Sequence, residues 1–401
     1  MRFTSAMPSG DGSKRARTTQ AVLDAAMTEL VTSGQAEFAM ERVAKRAYFS
    51  IGTLYQRWPD KASLLHALVL ERLEPSITEA LQSAKDASAA IDWALSDGRD
   101  QLVAMGEILL AAHGNATLSE AAQGLWRSLH TGLSRHLPSP MAWCVATYAV
   151  GNALLLAIDV HGPDPATGRT RWFVDAGARL DTDAPLTGTT APPENLQLPR
   201  VPPPTRSDPV ATALVSAAQL LLQERGAEGT STRDIAAGAG VTTGALYRRY
   251  DGKSRLLADV LLTQLHPDRY TWTWDLVKAL AGQDPYGGAA DVITRRLIEQ
   301  AVDLPSQRVL LQVGVAARSD PALRAQISER IRIADDTRVE VVRHFIDVGL
   351  LRGDIDPHVL TWGFQAIPVG LRALLPLGVA VDEAQIRSVM RALVVEAAPD
   401  E

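Results

Sequence analysis

Cysteine is nearly absent from this chain of 401 residues: Cys144 stands alone, so no intrachain disulfide framework holds the fold. A lone thiol fits a reducing interior, and a cytoplasmic location is the expectation. Aromatic residues make up 5% of the sequence and alternating β-branched runs are scarce. Alanine and leucine recur instead, which favours helix over sheet. No apolar stretch reads as the roughly 18–20 residues that cross a bilayer, and residues 1–13 lack the apolar core of a signal peptide. No membrane partner is expected. The eight histidines are scattered, without HExxH spacing or paired cysteines to hold a metal, and neither GxxxxGK[ST] nor GxSxG occurs. An enzymatic reading has no residues to rest on, and neither metal nor cofactor is expected.

A net charge of −6 argues at first against a polyanionic partner. Charge is segregated, however. Residues 13–62 carry eight basic against five acidic side chains, and residues 206–255 carry seven against five. Two locally basic segments on an acidic remainder suit a DNA-binding head on a body with another task.

What is present is a repeat. A shift of 192 residues aligns Ala47–Lys61 with Ala239–Lys253 without a gap, and six of the fifteen positions are identical: Ala47/Ala239, Gly52/Gly244, Leu54/Leu246, Tyr55/Tyr247, Arg57/Arg249 and Lys61/Lys253. The same register pairs Gly34 with Gly226, Ala44 with Ala236, and Leu64-Leu65 with Leu256-Leu257. The chain is a duplication. Between its halves, Asp181–Pro209 holds eight prolines and reads as a semi-rigid linker or, alternatively, a structured proline-rich loop.

Each repeat opens with the same series of short helices. The first is expected over Thr18–Ser33 and Pro209–Arg225, ending at Gly34 and Gly226, with Asp208-Pro209 as N-cap and first turn of the second copy. A second helix is expected over Glu41–Arg46 and Arg233–Ala237, and a third over Ile51–Trp58 and Thr243–Tyr250. Two short helices joined by a tight turn and supported by a preceding helix form a helix-turn-helix unit. The expected fold is all-α. Its divisions are a first head over 14–70, a first helical body over 71–180, a linker over 181–208, a second head over 209–262 and a second body over 263–401.

Gly240 falls where the turn requires a left-handed backbone, which glycine adopts freely. Thr242 is placed to cap the third helix, and Gly244 to let that helix approach a groove closely. The candidate DNA contacts of the first copy are Ser50, Ile51, Gly52, Thr53, Tyr55, Gln56, Arg57 and Lys61. Those of the second are Thr232, Arg233, Thr242, Thr243, Gly244, Ala245, Tyr247, Arg248, Arg249 and Lys253. Phosphate contacts fix register and base-edge contacts give specificity. A tyrosine in a short helix ordinarily reads as packing. Two tyrosines in one register, each between a cap-glycine pair and a lysine, read as contacts. Leu54, Leu246, Val43 and Ile235 read as the core of each unit.

The runs Val43-Ala44-Lys45-Arg46-Ala47 and Ser50-Ile51-Gly52-Thr53-Leu54-Tyr55-Gln56-Arg57-Trp58-Pro59-Asp60-Lys61 resemble the N-terminal signature of TetR-family regulators. So do Ile235-Ala236, Gly240 through Tyr250, and Lys253. The resemblance covers about fifty residues in each half. It implies an all-helical regulator whose larger C-terminal part binds a small molecule and dimerises, so that ligand loosens DNA binding. The first copy departs from it, with Tyr48-Phe49 where the pattern and the second copy have Gly-Val. Either its turn bends differently, or its unit is less well formed, with Lys14, Arg15 and Arg17 as a compensating basic arm. That arm reads equally as a solvated tail.

The segments after each head read as successive amphipathic helices. His358–Leu375 and Asp382–Ala397 are the most apolar late ones, with counterparts at Met141–Asp159 and Arg171–Leu180, and in the resembling family such helices build the dimer bundle. Trp93, Trp126, Trp143, Trp272, Trp274 and Trp362 read as core residues or as the lining of a ligand cavity. The functional expectation is a ligand-responsive regulator, a repressor by the family's common mode. Its expected partners are a double-stranded DNA operator and a small apolar or amphipathic ligand. The two units form an intrachain pseudo-dimer reading an asymmetric operator, or chains form a homodimer with four heads, or only the second head reads DNA. The alternative from another class is a binding adaptor whose heads no longer engage DNA.

Overall fold

A computed structural model describes residues 10–113, 115–160, 168–180, 208–227, 229–265, 275–276, 278–280, 282 and 284–399. Apart from Asp208, the expected linker lies outside the described residues, as do Trp272 and Trp274. Every regular element among the described residues is helical.

The first half runs α1 (Gly10–Glu37), α2 (Met40–Arg46), α3 (Ile51–Arg57) and α4 (Lys61–Leu68), which continues through a π-type turn into α5 (Glu74–Ser83). Then come α6 (Ala87–Asp92), α7 (Arg99–Ala112), α8 (Ala116–Leu133), α9 (Ser139–Leu156) and α10 (Arg169–Ala178). The second half repeats the plan with α11 (Pro209–Arg225), α12 (Thr232–Gly238), α13 (Thr243–Tyr247) and α14 (Lys253–Leu265). Its body is α15 (Pro285–Val302), α16 (Leu304–Ser319), α17 (Pro321–Asp347), α18 (Pro357–Leu374) and α19 (Glu383–Glu396).

Local chemistry explains most boundaries. Asp208, Asp284, Asp303, Asp320 and Asp356 each cap a helix whose second residue or first is proline, accepting from backbone N–H groups that have no partner inside the helix. Gly34 and Gly226 leave the helix at φ 73° and 70°. The expected tail ahead of Thr18 is corrected: from Gly10 the chain is already helical, so Arg15 and Arg17 sit on α1 rather than on a free arm. The third helix of the second head is also shorter than expected and ends at Tyr247, leaving Arg248 and Arg249 in a turn.

One reading of the sequence fails at α9. By length and composition this helix is apolar enough to cross a membrane, although Thr147 and Asn152 break the run to the eye. Of this stretch, 78% is buried inside the protein. There α9 and α18 cross, and the crossing is reciprocal. A Cβ on Gly151 would fall 1.8 Å from the carbonyl oxygen of Ala366, and a Cβ on Gly370 would fall 2.0 Å from that of Thr147. Each glycine thus admits the partner helix's backbone four residues before the other glycine, the self-complementary pattern of a two-fold interface. Trp362 Nε1 donates to Asn152 Oδ1 at 2.9 Å within this contact, satisfying two polar groups that burial would otherwise penalise. Around it, Arg179 pairs with Glu396 at 2.6 Å and Gln123 Nε2 donates to the Leu377 carbonyl at 2.8 Å. One large apolar core runs through both halves, and a smaller cluster of Leu280, Tyr286, Ala289, Phe345 and Leu350 lies apart from it in the second. Cys144 is fully enclosed in the large core, and burial pushes its thiol up to about 12, which leaves it unreactive.

Candidate nucleic-acid interface

The two heads are the same local structure built twice. In the first, Ala47 N–H donates to the Val43 carbonyl at 2.9 Å, Tyr48 to Lys45 at 3.3 Å and Phe49 to Ala44 at 2.9 Å. In the second, Ala239 donates to Ile235 at 2.9 Å, Gly240 to Ala237 at 3.0 Å and Val241 to Ala236 at 2.9 Å. Each bond recurs one repeat later. Tyr48 and Gly240 both take the left-handed conformation, at φ 61° and 67°. The first turn therefore bends as the second does, and the departure at Tyr48 changes the side chain without changing the path.

The cap recurs too. Ser50 Oγ accepts from Thr53 N and Thr242 Oγ1 from Ala245 N, each at 3.2 Å. Leu54 and Leu246 are buried beneath, together with Val43 and Ile235, as core residues of each unit. Outward from them face Ser50, Gly52, Thr53, Tyr55, Gln56 and Arg57 on one head, and Thr242, Thr243, Gly244, Tyr247 and Arg248 on the other. Ile51 and Ala245 are half-buried at the edge of the same surface. A Cβ on Gly52 or Gly244 would meet nothing closer than the cap hydroxyl at 3.8 Å. Packing inside the chain therefore does not demand glycine at either place, and both leave a helix surface bare.

Several candidates have duties inside the head. Lys61 Nζ donates to the carbonyl of Gln35, and Lys253 Nζ to that of Ala227, the equivalent residue. Each lysine thus ties the start of the fourth helix to the end of the first, and Lys61 also lies over the Phe38 ring, 5.9 Å from its centroid. Arg249 pairs with Asp208, and its hydrogen bonds hold that carboxyl below its ordinary value. Arg57, its counterpart, instead stacks on Trp58 with its guanidinium carbon 4.9 Å from the ring centroid. Tyr247 is 57% exposed, with its hydroxyl 3.2 Å from Thr232 Oγ1, so the second and third helices of that head meet at their outer face. Arg233 is exposed beside Thr232 on α12. A Ser231–Asp234 capping box starts α12, whereas α2 starts at Ala39 with no side-chain cap.

The seats of the heads differ more than the heads themselves. Beneath the first, Gln35 N–H donates to Glu107 Oε2 at 2.7 Å, and Arg318 from the other half stands 3.0 Å from Glu107 Oε1. Arg318 also donates to the Val31 carbonyl at 2.8 Å. Gly34 makes room, since a Cβ there would lie 2.8 Å from the Arg318 guanidinium. Burial pushes the Glu107 carboxyl up, and the Arg318 charge opposes this. Beneath the second head, a neutral Gln312 Oε1 accepts from Ala227 N–H at 3.2 Å. Sequence reasoning missed Glu107, Arg318 and Gln312 because the signal lies in a contact between halves.

The family model of the bacterial regulatory proteins of the tetR family matches twice, at residues 22–68 and 214–260. No curated protein sequence matches the chain. Among solved structures, a Mesorhizobium loti protein described as a TetR-family transcriptional regulator is similar at 18% identity over 47% of this chain and 95% of its own, with a TM-score of 0.38. NalD of Pseudomonas aeruginosa, the secondary repressor of the MexAB-OprM multidrug efflux pump, is 24% identical over 41% of this chain and 83% of its own, with a TM-score of 0.33. SmeT, the repressor of the Stenotrophomonas maltophilia multidrug efflux pump SmeDEF, is 23% identical over 38% of this chain and 73% of its own, with a TM-score of 0.28. Two segments of the chain, residues 22–68 and 214–260, thus each match the model of the tetR family of bacterial regulatory proteins.

Proposed function

We propose that this protein is a ligand-responsive transcriptional repressor, working in the cytoplasm as an intrachain pseudo-dimer on an asymmetric operator. The observation that carries this is the repeated turn. Two heads, 14–70 and 209–262, keep one hydrogen-bond pattern, one cap and one bare glycine while the outward residues around them differ. Ile51 stands where the other head has Thr243, Thr53 where it has Ala245, and Gln56 where it has Arg248. Side chains of different hydrogen-bonding chemistry select different base edges, so the two half-sites differ.

Tyr55 and Tyr247, with Ser50, Thr242, Thr232 and Arg233, hold phosphates. Residues 51, 53, 56, 243, 245 and 248 read bases, and Gly52 and Gly244 admit the backbone of the duplex. Arg57 and Arg249 flank the site, while Lys61 and Lys253 act by fixing each head on its first helix. Repression and release by a small molecule in the body are the modes that the family resemblance implies.

The test is the affinity of the purified chain for DNA flanking its own coding sequence, against random DNA, at two salt concentrations, with Tyr247→Ala alongside. Specific binding typically exceeds random binding by about 10³-fold or more. The expected result is such an excess, reduced in the variant. Equal, weak, salt-sensitive binding to both DNAs by either protein would favour the adaptor reading, in which the inward-tied lysines and the paired Arg249 are structural.

A further inference from the structure

A cavity of about 90 Å³ lies between the two bodies, walled by α7 and α9 on one side and α16, α17 and α18 on the other. None of the described tryptophans lines it; Trp126 and Trp362 are core residues, the first of the two roles read for them from the sequence. Its wall is largely aliphatic, including Leu154, Leu155, Leu310 and Ile331. Its ionised groups do not balance. Glu107 and Arg318 face it as a pair 3.0 Å apart and neutralise each other.

Arg372 faces it as well, 9% exposed, with its Nε donating to the neutral Gln307 Oε1. Among the described residues no carboxylate pairs with Arg372. The charge that reaches it is Arg296, of the same sign, and burial together with this repulsion lowers the guanidinium to about 10. A buried cation without a counter-charge is costly to fold, and proteins retain such groups chiefly at sites of function. Two helical turns earlier on α18, Gln365 Nε2 is buried at the same wall with no acceptor. Positions 365, 369 and 372 share one helix face, so both donors converge on the space.

We propose that this cavity binds a small apolar monocarboxylate, whose carboxylate pairs with Arg372 and accepts from Gln365 while its aromatic or branched body fills the aliphatic wall. At about 90 Å³ the cavity is smaller than the roughly 150 Å³ that accommodates benzene, so the aliphatic wall must yield to admit a ring and the branched isovalerate is the better fit. One ligand binds per chain, because the contact that sets Gly151 against Gly370 places Ala153 where the other half has Arg372. The inference rests on the ligand-responsive reading and names the chemistry of its ligand. The site touches the Glu107–Arg318 pair under the first head, so an occupant reaches that head before the second.

Calorimetry on the full chain with benzoate and isovalerate, against benzamide and benzylamine, tests it. Saturable binding of at least one acid is expected, with benzamide and benzylamine at least tenfold weaker. Arg372→Met and Gln365→Leu should each weaken the acid at least tenfold. Arg372→Met removes the buried charge but leaves Gln307 Oε1 without its donor, so its thermal midpoint is measured beside the parent's, and binding lost at an unchanged midpoint is not a loss of fold. No binding of either acid, equal binding of benzamide, or binding unchanged in Arg372→Met would overturn the proposal. Operator affinity measured with and without benzoate separates the two readings. Binding of the acid without any effect on DNA keeps the site and removes the ligand-responsive reading. Release of DNA by benzylamine or benzamide alone keeps that reading and overturns this one.

Discussion

Tyr48 and Gly240 occupy one backbone position 192 residues apart, both left-handed, with the tyrosine ring projecting at 94% exposure where glycine has no side chain. An L-residue in this region costs about 1–2 kcal/mol, and the ring makes no packing contact that repays it. The bond from Phe49 N–H to the Ala44 carbonyl at 2.9 Å, and the cap at Ser50, hold the turn in place despite the strain.

Replacing Tyr48 with glycine removes that strain but adds about 0.5–1 kcal/mol of unfolded-state entropy. The expected net gain is about 0.5–1 kcal/mol in urea unfolding. Tyr48→Ala, which keeps the strain and loses only an exposed ring, should be neutral, whereas Gly240→Ala should cost about 1 kcal/mol. A destabilised Tyr48→Gly would mean that the ring packs in solution on a surface it does not touch here.

The α9–α18 crossing predicts both stability and assembly. Gly151→Val places atoms on the Ala366 carbonyl, a backbone group that no rotamer change can clear. Overpacking of a core typically costs about 1–3 kcal/mol, and the upper end is expected from the fall in thermal midpoint. The reciprocal contact of Gly151 and Gly370 buries this face of α9 and α18 within one chain, so it is not open to a second copy. Sedimentation should therefore give the single-chain mass of 43.1 kDa. A mass twice that would reinstate the homodimer with four heads.

What was legible in the sequence was local. The turn glycine, the caps at Ser50 and Thr242 and the core leucines lie within a few residues of their partners, so spacing alone exposed them. The duplication then supplied an internal control at each position. What stayed hidden joins distant segments. Arg249 reads as a free cation until Asp208 is seen beside it, and Lys61 reads as a phosphate contact until the Gln35 carbonyl takes it up. The start of α1 at Gly10 escaped because glycine and serine are poor helix formers, and local propensity gave no reason to extend the helix there. Arg372 carries no sequence signal at all; its meaning lies in the carboxylate that no helix among the described residues brings to it.

The operator reading yields a gain-of-symmetry experiment. The triple variant Thr243→Ile, Ala245→Thr and Arg248→Gln gives the second head the outward residues of the first. A binding selection on the parent should return an asymmetric site, and on the variant one nearer to a palindrome of the first half-site. Each mismatched base pair typically costs about 1–3 kcal/mol, so the preference should shift by roughly tenfold or more per altered position. Symmetric sites from both proteins would show that residues 51, 53 and 56 and their counterparts do not read bases.

The asymmetry beneath the heads should appear as a pH dependence. Glu107 is 2% exposed, faced by Arg318 and Lys61 and bonded by the Gln35 N–H, and burial raises its carboxyl above the ordinary value of 4.5 in spite of both cations. A raised folded-state value means that the folded chain holds this proton more tightly than the unfolded chain does. Its stabilising contribution is complete below the ordinary value and is lost as pH rises through the raised one. Glu107→Gln installs the neutral amide that already serves the second head at Gln312 and does not titrate. The stability of the parent minus that of Glu107→Gln should therefore fall as pH rises from about 4 toward neutrality, at up to ~1.4 kcal/mol per unit within the window. A difference that rises with pH would show instead that Arg318 outweighs burial, and that the ion pair under the first head is a net brace.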